Sequence, residues 1–303
     1  MEHNILKIRQ NYPLDLKIEF SKKRIVEWYS HWEGNVYVAF SGGKDSTVLL
    51  HLVRSIYPDV PAVFVDTGLE YPEIGDFVKN TENVIWLKPK LTFKKVIEKY
   101  GYPVISKEVS RYVRDIKYGT EVMKNLRLNG IKKEGKTASN GSKLSKKWLF
   151  LVDAPFDVSD RCCDILKKNP VKKYEKETGR KGYVGMMAEE SSLRVQMYLK
   201  YGCNAFDKKT PNSYPLMFWR EQDIWEYINR FNLPYAKVYD SGVKRTGCMF
   251  CMFGVHLEEH PNRFELMKET HPKQYDYCMN KLGLKQVIEY IENNTKHKIL
   301  KED

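Results

Sequence analysis

Six consecutive residues, Ser41-Gly42-Gly43-Lys44-Asp45-Ser46, combine the groups that hold a phosphate chain. Two glycines permit positive φ and let backbone N–H groups approach an anion. Lys44 adds a point charge, and Ser41 and Ser46 add hydroxyls. A helix starting here contributes unpaired N–H groups and the positive end of its dipole. The expected ligand is a triphosphate or a pyrophosphate. The string is neither Gly-x4-Gly-Lys-Ser/Thr nor Gly-x-Gly-x-x-Gly, so it is neither a Walker loop nor a dinucleotide fingerprint. The bland alternative is a glycine turn between a strand and a helix.

Cysteines form a second constellation: Cys162-Cys163, and Cys248-Met249-Phe250-Cys251. Thiolates at i and i+3 in a turn opened by Gly247 can converge on one metal or cluster. Adjacent cysteines diverge, which suits a [4Fe–4S] cubane taking one thiolate per iron. Structural zinc and unligated or disulfide-forming thiols are the alternatives. Cys203 and Cys278 stand alone and read as inert core thiols.

These groups need a scaffold. An apolar run, Val36-Tyr37-Val38-Ala39-Phe40, predicts a strand leading into the glycine loop. Val48, Leu49, Leu52, Val53 and Ile56 predict a helix over 47–56. Further strands are expected at Ala62–Val65 and Val84–Leu87, with a helix over Ser21–Trp32 leading into the first strand. Alternating strands and helices imply an α/β fold with a doubly wound parallel sheet, whose ligands bind at the carboxyl ends of strands. Asp66 and Thr67 fall at that edge; Asp66 is a candidate for Mg²⁺ or a ribose hydroxyl, with a helix N-cap as its alternative. Trp219, Asp223, Trp225 and Ile228 mark a helix with Trp225 and Ile228 on its buried face. From about Gly202 onward, loops and helices replace the strand pattern. The expected division is therefore a nucleotide-binding domain over 1–201 and a mostly helical, cysteine-bearing appendage over 202–303. The stretch 129–147, rich in Lys, Gly and Ser, reads as an exposed, mobile insertion that could meet a phosphate backbone.

Composition narrows the class. The chain has 303 residues, 42% hydrophobic and 30% charged, which is ordinary for a soluble protein with a real core. The net charge of +12 favours an anionic partner such as nucleic acid or nucleotide. No apolar run reaches the ~18 residues of a membrane span. Met1-Glu2-His3-Asn4 opens without an apolar segment, so cytoplasm and no membrane partner are expected. Six cysteines in that compartment argue for metal or redox chemistry over a disulfide framework.

The glycine loop resembles the PP-loop of the N-type ATP pyrophosphatases, which split ATP between the α and β phosphates. The wider pattern resembles the phosphoadenosine phosphosulfate reductase family within that superfamily. It covers roughly Val36 to His256. It takes in Asp66-Thr67-Gly68-Leu69-Glu70-Tyr71-Pro72-Glu73, the cysteine pair with Lys167 and Pro170, Glu190-Ser191 with Arg194, and Trp219, Asp223 and Trp225. It ends through Tyr239, Gly242, Arg245, Cys248 and Cys251. The resemblance implies an adenine nucleotide alpha hydrolase-like fold and a [4Fe–4S] centre on Cys162, Cys163, Cys248 and Cys251. Two departures matter: sulfonucleotide reductases of this family have a degraded PP-loop and a Glu-Cys-Gly-x-His tail. Here the loop is intact, and 298–303 reads Lys-Ile-Leu-Lys-Glu-Asp. Met187 stands where relatives often carry arginine.

The resemblance therefore implies the ATP-using, sulfur-transferring branch, similar to enzymes of DNA phosphorothioation and cluster-dependent tRNA thiolation. Lys44, Asp45 and Asp66 are the expected catalytic residues. Ser41 to Ser46, Asp66, Thr67, Glu190, Ser191, Arg194 and Arg245 would hold ATP and Mg²⁺; for each arginine the alternative is a surface ion pair. Nucleic acid is the expected sulfur acceptor, and a cysteine desulfurase a candidate donor. The rival readings are a sulfonucleotide reductase and a non-catalytic module that senses nucleotide or redox state.

Overall fold

The computed structural model describes residues 2–133, 135–138 and 141–301. Among the described residues there are eight strands: β1 Val36–Ala39, β2 Ala62–Val65, β3 Val84–Leu87, β4 Val104–Ile105, β5 Lys181–Val184, β6 Asn204–Ala205, β7 Asn212–Ser213 and β8 Met252–Phe253. The chain divides into two compact units. One comprises Met1–Asp66, Tyr71–Lys88 and Pro170–Arg245; the other comprises Thr67–Glu70, Pro89–Asn169 and Thr246–Asp303. The sequential division at 201/202 is thus replaced by a discontinuous one. The chain leaves the sheet after β3 and returns to it at β5.

The first unit is built on a six-stranded sheet of order β3-β2-β1-β5-β7-β6. Every pairing is parallel except β6 with β7. This is the expected α/β class. β1 lies between β2 and β5, in register Val38↔Ala62 and Val38↔Tyr183. The chain runs from β1 to one neighbour and only later to the other, which makes the carboxyl end of β1 the switch point of the sheet. The helix Lys44–Arg54 starts there, three residues earlier than its apolar pattern. It buries Val48, Leu49, Leu52 and Val53. The helix Leu14–His31 buries Ile18, Ile25 and Trp28, and the Ile25 carbonyl accepts the Tyr183 hydroxyl at 2.8 Å.

Two expectations within this unit need correction. Region 202–213 returns two short strands to the sheet edge, where loops and helices were expected; two-residue strands carry no readable alternation. Trp225 is also not on the buried face of its helix, Glu221–Arg230, which buries Asp223, Ile224, Tyr227 and Ile228. Trp225 instead packs edge-on against Tyr235 and Tyr239.

In the second unit β4 and β8 pair in parallel, Val104↔Met252 and Ile105↔Phe253. The segment before β4 also bridges Tyr102 to Val158. Gly101, at φ 95°, lets Asp157 pass: a Cβ there would lie 2.2 Å from the Asp157 carbonyl carbon. The basic stretch 129–147 includes Glu134, Ser139 and Asn140, which lie outside the described residues, as do Met1 and the last two residues of the chain's end. Its described part is tied down. Ile131 bridges Thr137, and Leu144 is buried with its N–H on the Arg127 carbonyl. Among the described residues no helix is long and apolar enough to cross a membrane.

Candidate functional site: a phosphate loop and a cysteine cavity

The glycine loop folds as its composition requires. Gly42 has φ 72°, and a Cβ on it would lie 2.8 Å from Val78 Cγ2 and 2.9 Å from Ile74 Cγ2. Gly43 is the extended N-cap of the helix and contributes no side-chain cap, which leaves the first-turn N–H groups to other acceptors. Ser46 closes the loop on itself. Its hydroxyl accepts from the Ser41 N–H at 3.2 Å, donates to the Gly43 carbonyl at 2.8 Å and lies 3.1 Å from the Ser41 hydroxyl. Gly185, just after β5, abuts the start of the helix, where a Cβ would sit 3.1 Å from the Asp45 carbonyl oxygen.

Lys44 is only 5% exposed. Its backbone N–H donates to the Tyr239 hydroxyl at 2.9 Å. Its ammonium lies 3.3 Å from Glu221 Oε1, 3.7 Å from Asp45 Oδ1 and 3.5 Å from the Lys244 carbonyl. Burial raises the Asp45 carboxyl above its ordinary range; Lys44, Arg194 and Arg245 oppose the shift, and Glu221 adds to it. Asp45 Oδ1 is buried with no hydrogen-bond partner. Burial lowers the Arg194 pKa, and the nearby Arg245 charge lowers it further. Lys44, Asp45, Arg194 and Arg245 thus share one electrostatic neighbourhood. Glu221, Tyr239 and Lys244 join it without having been expected there. Their only signal was distance-blind: charge and aromatics in a segment some 180–200 residues from the loop.

The other candidates are placed as follows. Asp66 follows β2; its N–H donates to the Leu87 carbonyl at 2.9 Å, and Lys88 Nζ lies 3.9 Å from Oδ2. Thr67 belongs to the second unit, where its hydroxyl donates to Glu70 and its N–H bonds Glu70 Oε2 at 3.1 Å. Ser191 caps the helix Ser192–Tyr201, accepting the Arg194 N–H at 3.4 Å. Glu190 accepts the Met187 N–H at 3.1 Å and forms an ion pair with Arg194. Glu190 and Ser191 therefore build the turn that holds Arg194.

All four paired cysteines line one cavity of the second unit, with Leu69, Phe93, Leu166 and Lys167 among its walls. The fold gathers them from both sides of β4. On one side the bridge to Val158 leads to Cys162; on the other, β8 follows Cys251 directly. Met249 N–H bonds the Leu69 carbonyl at 2.9 Å and fixes the Cys248–Cys251 turn. Cys162 and Cys163 have their sulfurs 3.9 Å apart, and a π-helical turn, Asp164–Lys168, follows them. Burial pushes the Cys248 thiol up to about 11, partly offset by Lys167. Burial would lower the Lys167 pKa, but the Cys248 thiolate, Glu70 and Cys163 outweigh it and hold the ammonium charged. Among the described residues no three His, Cys, Asp or Glu side chains gather on a single metal ion.

The phosphoadenosine phosphosulfate reductase domain model matches residues 35–118 and 106–253, well over half of the chain. The chain belongs to that family. The matched segments of this phosphoadenosine phosphosulfate reductase domain include the phosphate loop, Asp66, Arg194, Arg245 and all four cavity cysteines. An uncharacterised protein of Methanocaldococcus jannaschii is 25% identical over 279 residues, covering 89% of this chain and 54% of the relative. A second M. jannaschii protein is 28% identical and is covered over 36% of its length. The chain therefore spans about half and about a third of these relatives. An adenosine 5'-phosphosulfate reductase of Geobacillus kaustophilus is 28% identical over 230 residues, 75% of this chain and 77% of that protein. Among solved structures, a phosphoadenylyl-sulfate reductase of Candida auris aligns with a TM-score of 0.45 at 16% identity, over 75% of this chain and 87% of that one.

Proposed function

We propose that this chain is an ATP pyrophosphatase that adenylates an acceptor, with nucleic acid as the acceptor, and supports its thiolation. The observation that carries the reading is the complete Ser41–Ser46 loop, folded onto a helix N-terminus with a buried ammonium on its first residue. A sulfonucleotide has no β,γ-phosphates to engage such a loop.

The chemistry follows from these groups. An acceptor oxygen attacks the α-phosphorus, and the bond to the bridging oxygen breaks. Negative charge grows on the departing pyrophosphate, where Lys44 and the first-turn N–H groups stabilise it. Arg194 and Arg245 bind the remaining phosphate charge. Asp45 Oδ1, buried without a hydrogen bond and 3.7 Å from the Lys44 ammonium, fits a Mg²⁺ held by one carboxylate and the phosphates themselves. Asp66, at the carboxyl end of β2, is the candidate for ribose or metal. Persulfide sulfur from a cysteine desulfurase is first released as hydrosulfide by thiols, which are oxidised to a disulfide; the hydrosulfide then displaces AMP, which leaves with the acceptor oxygen.

Cys162, Cys163, Cys248 and Cys251 fit a [4Fe–4S] cluster: four thiols line one cavity, and Lys167 supplies a counter-charge to thiolate. Bound there, the cluster would supply a site for sulfur or electrons.

The relatives named as adenosine 5'-phosphosulfate reductases favour a second reading, reduction of a sulfonucleotide. Calorimetry with ATP, adenosine phosphosulfate and phosphoadenosine phosphosulfate separates the two. The expected result is tighter binding of ATP, with pyrophosphate released once an acceptor is added. Tight binding of a sulfonucleotide and none of ATP would return the chain to reduction.

A further inference from the structure

Two side chains outside the loop occupy the two faces of Lys44 that a phosphate chain would use. The Tyr239 hydroxyl accepts the Lys44 N–H at 2.9 Å, and its ring lies 5.5 Å from the ammonium. The Glu221 carboxylate lies 3.3 Å from the same ammonium. The two occupants differ in mobility. Tyr239 is packed edge-on against Trp225 and Tyr235. Glu221 is 57% exposed at its side chain, while the lysine it pairs with is 6% exposed.

The backbone beneath Glu221 is fixed. Asp223 accepts the Arg220 N–H and the buried Lys17 ammonium, and the Glu221 N–H itself donates to Glu189. The Glu221 side chain leaves by rotating into solvent, whereas the Tyr239 ring releases the Lys44 N–H only by moving within its aromatic cluster. The carboxylate end of the pair is open to water, so another anion can take its place on the buried ammonium. Until it leaves, it also repels that anion.

We propose that Glu221 and Tyr239 make the loop selective for linked phosphates over single anions, a specificity role that rests on reading Ser41–Ser46 as a polyphosphate site. A single phosphate or sulfate gains only one of the two Lys44 contacts for the cost of approaching Glu221. A diphosphate or triphosphate spans both, replacing the phenol on the N–H and the carboxylate on the ammonium in one event. The substrate class is therefore a nucleotide with an intact β,γ-phosphate pair, and inorganic phosphate is a poor competitor. Glu221 and Tyr239 are separated from the loop by most of the first unit's sequence, yet both close on a single loop residue.

The test is calorimetric titration of the full chain with inorganic phosphate, pyrophosphate and ATP. The variants are Glu221→Gln, Tyr239→Phe and, as a control for charge alone, Glu226→Gln, an exposed acid on the same helix. Glu221→Gln is expected to tighten phosphate binding about tenfold and pyrophosphate binding about threefold, so the preference for pyrophosphate falls. Tyr239→Phe removes the acceptor from the Lys44 N–H without changing charge, and the preference falls again. Glu226→Gln leaves the preference unchanged. If pyrophosphate and ATP bind and Glu221→Gln leaves the preference as in the parent, the selectivity proposal is overturned and the polyphosphate reading stands. If neither ligand binds the parent or any variant, both fall.

Discussion

Lys44 acts through two atoms, its backbone N–H and its ammonium, and both face groups that an anion can replace. Its side chain is buried, so its charge is poorly screened and acts strongly on whatever anion arrives. Lys44→Ala should reduce pyrophosphate release by about 10²–10³-fold, the usual cost of one lost electrostatic stabiliser at a growing charge. The thermal midpoint should move little, because the Lys44 ammonium's ion pairs are 3.3 Å and longer, to partly exposed carboxylates, and its N–H bond to Tyr239 survives in alanine. Unchanged turnover in an active preparation would make the loop structural. At this scale the loop's conformation was legible in the sequence, because six adjacent residues set it: Gly42 takes the positive φ and Ser46 closes the turn. Glu221 and Tyr239 were not, since nothing local to them signals an approach to Lys44. Glu190 and Ser191 were legible as neighbours of Arg194, but their hydrogen bonds build the turn beneath it.

Elements convert these residues into a site. β2 and the core of the first helix face were legible because a parallel strand buried on both sides reads as a continuous apolar run, and β3 because its run stays apolar at the sheet edge, where none of its residues is fully buried. β6, β7, β4 and β8 were not, because each is two residues long. The helix Glu221–Arg230 shows a further limit. Its 3.6-residue period was read correctly, but its buried stripe falls on Ile224 and Tyr227, and Trp225 turns to an aromatic cluster. That helix is anchored through Asp223 to Lys17, whose side chains are 6% and 1% exposed. Lys17→Met leaves the carboxylate buried without its cation and should cost about 3 kcal/mol or more in chemical denaturation. A loss below about 1 kcal/mol would mean that Arg220 alone satisfies Asp223.

The cysteine turns are the second element-scale case. Their spacing was legible, but the strand that brings them together was not, because β4 pairs with segments far away in sequence. Anaerobically purified protein should carry about four irons and four acid-labile sulfides per chain, with the broad visible absorption of a cubane. Cys248→Ser should abolish most of both while leaving ATP binding in place. Stoichiometric zinc without sulfide would replace the cluster with a structural metal.

At the scale of the whole molecule, the chain interleaves two units, a design that a linear reading divides at the wrong place. Charge, by contrast, was legible from composition alone. The net charge is +12, and much of it is exposed lysine. In the stretch 129–147, Arg127 just before it is not available to a partner, since it pairs with Asp115 and stacks on Tyr112. Lys132, Lys133, Lys143 and Lys146 are exposed and sit on a segment held by the buried Leu144 and Trp148. Restraint of Lys143 and Lys146 by the buried Leu144 and Trp148 lowers the entropy they lose on meeting a phosphate backbone. Binding to duplex DNA and to tRNA should therefore weaken steeply with salt, with a log–log slope of about −4 or steeper. Changing those four lysines to alanine should flatten the slope by about 3, one unit for nearly every released counterion, without altering ATP affinity. Binding that is insensitive to salt, or equally strong in the four-lysine variant, would remove this surface from the acceptor site and leave a small molecule as the oxygen donor to adenylation.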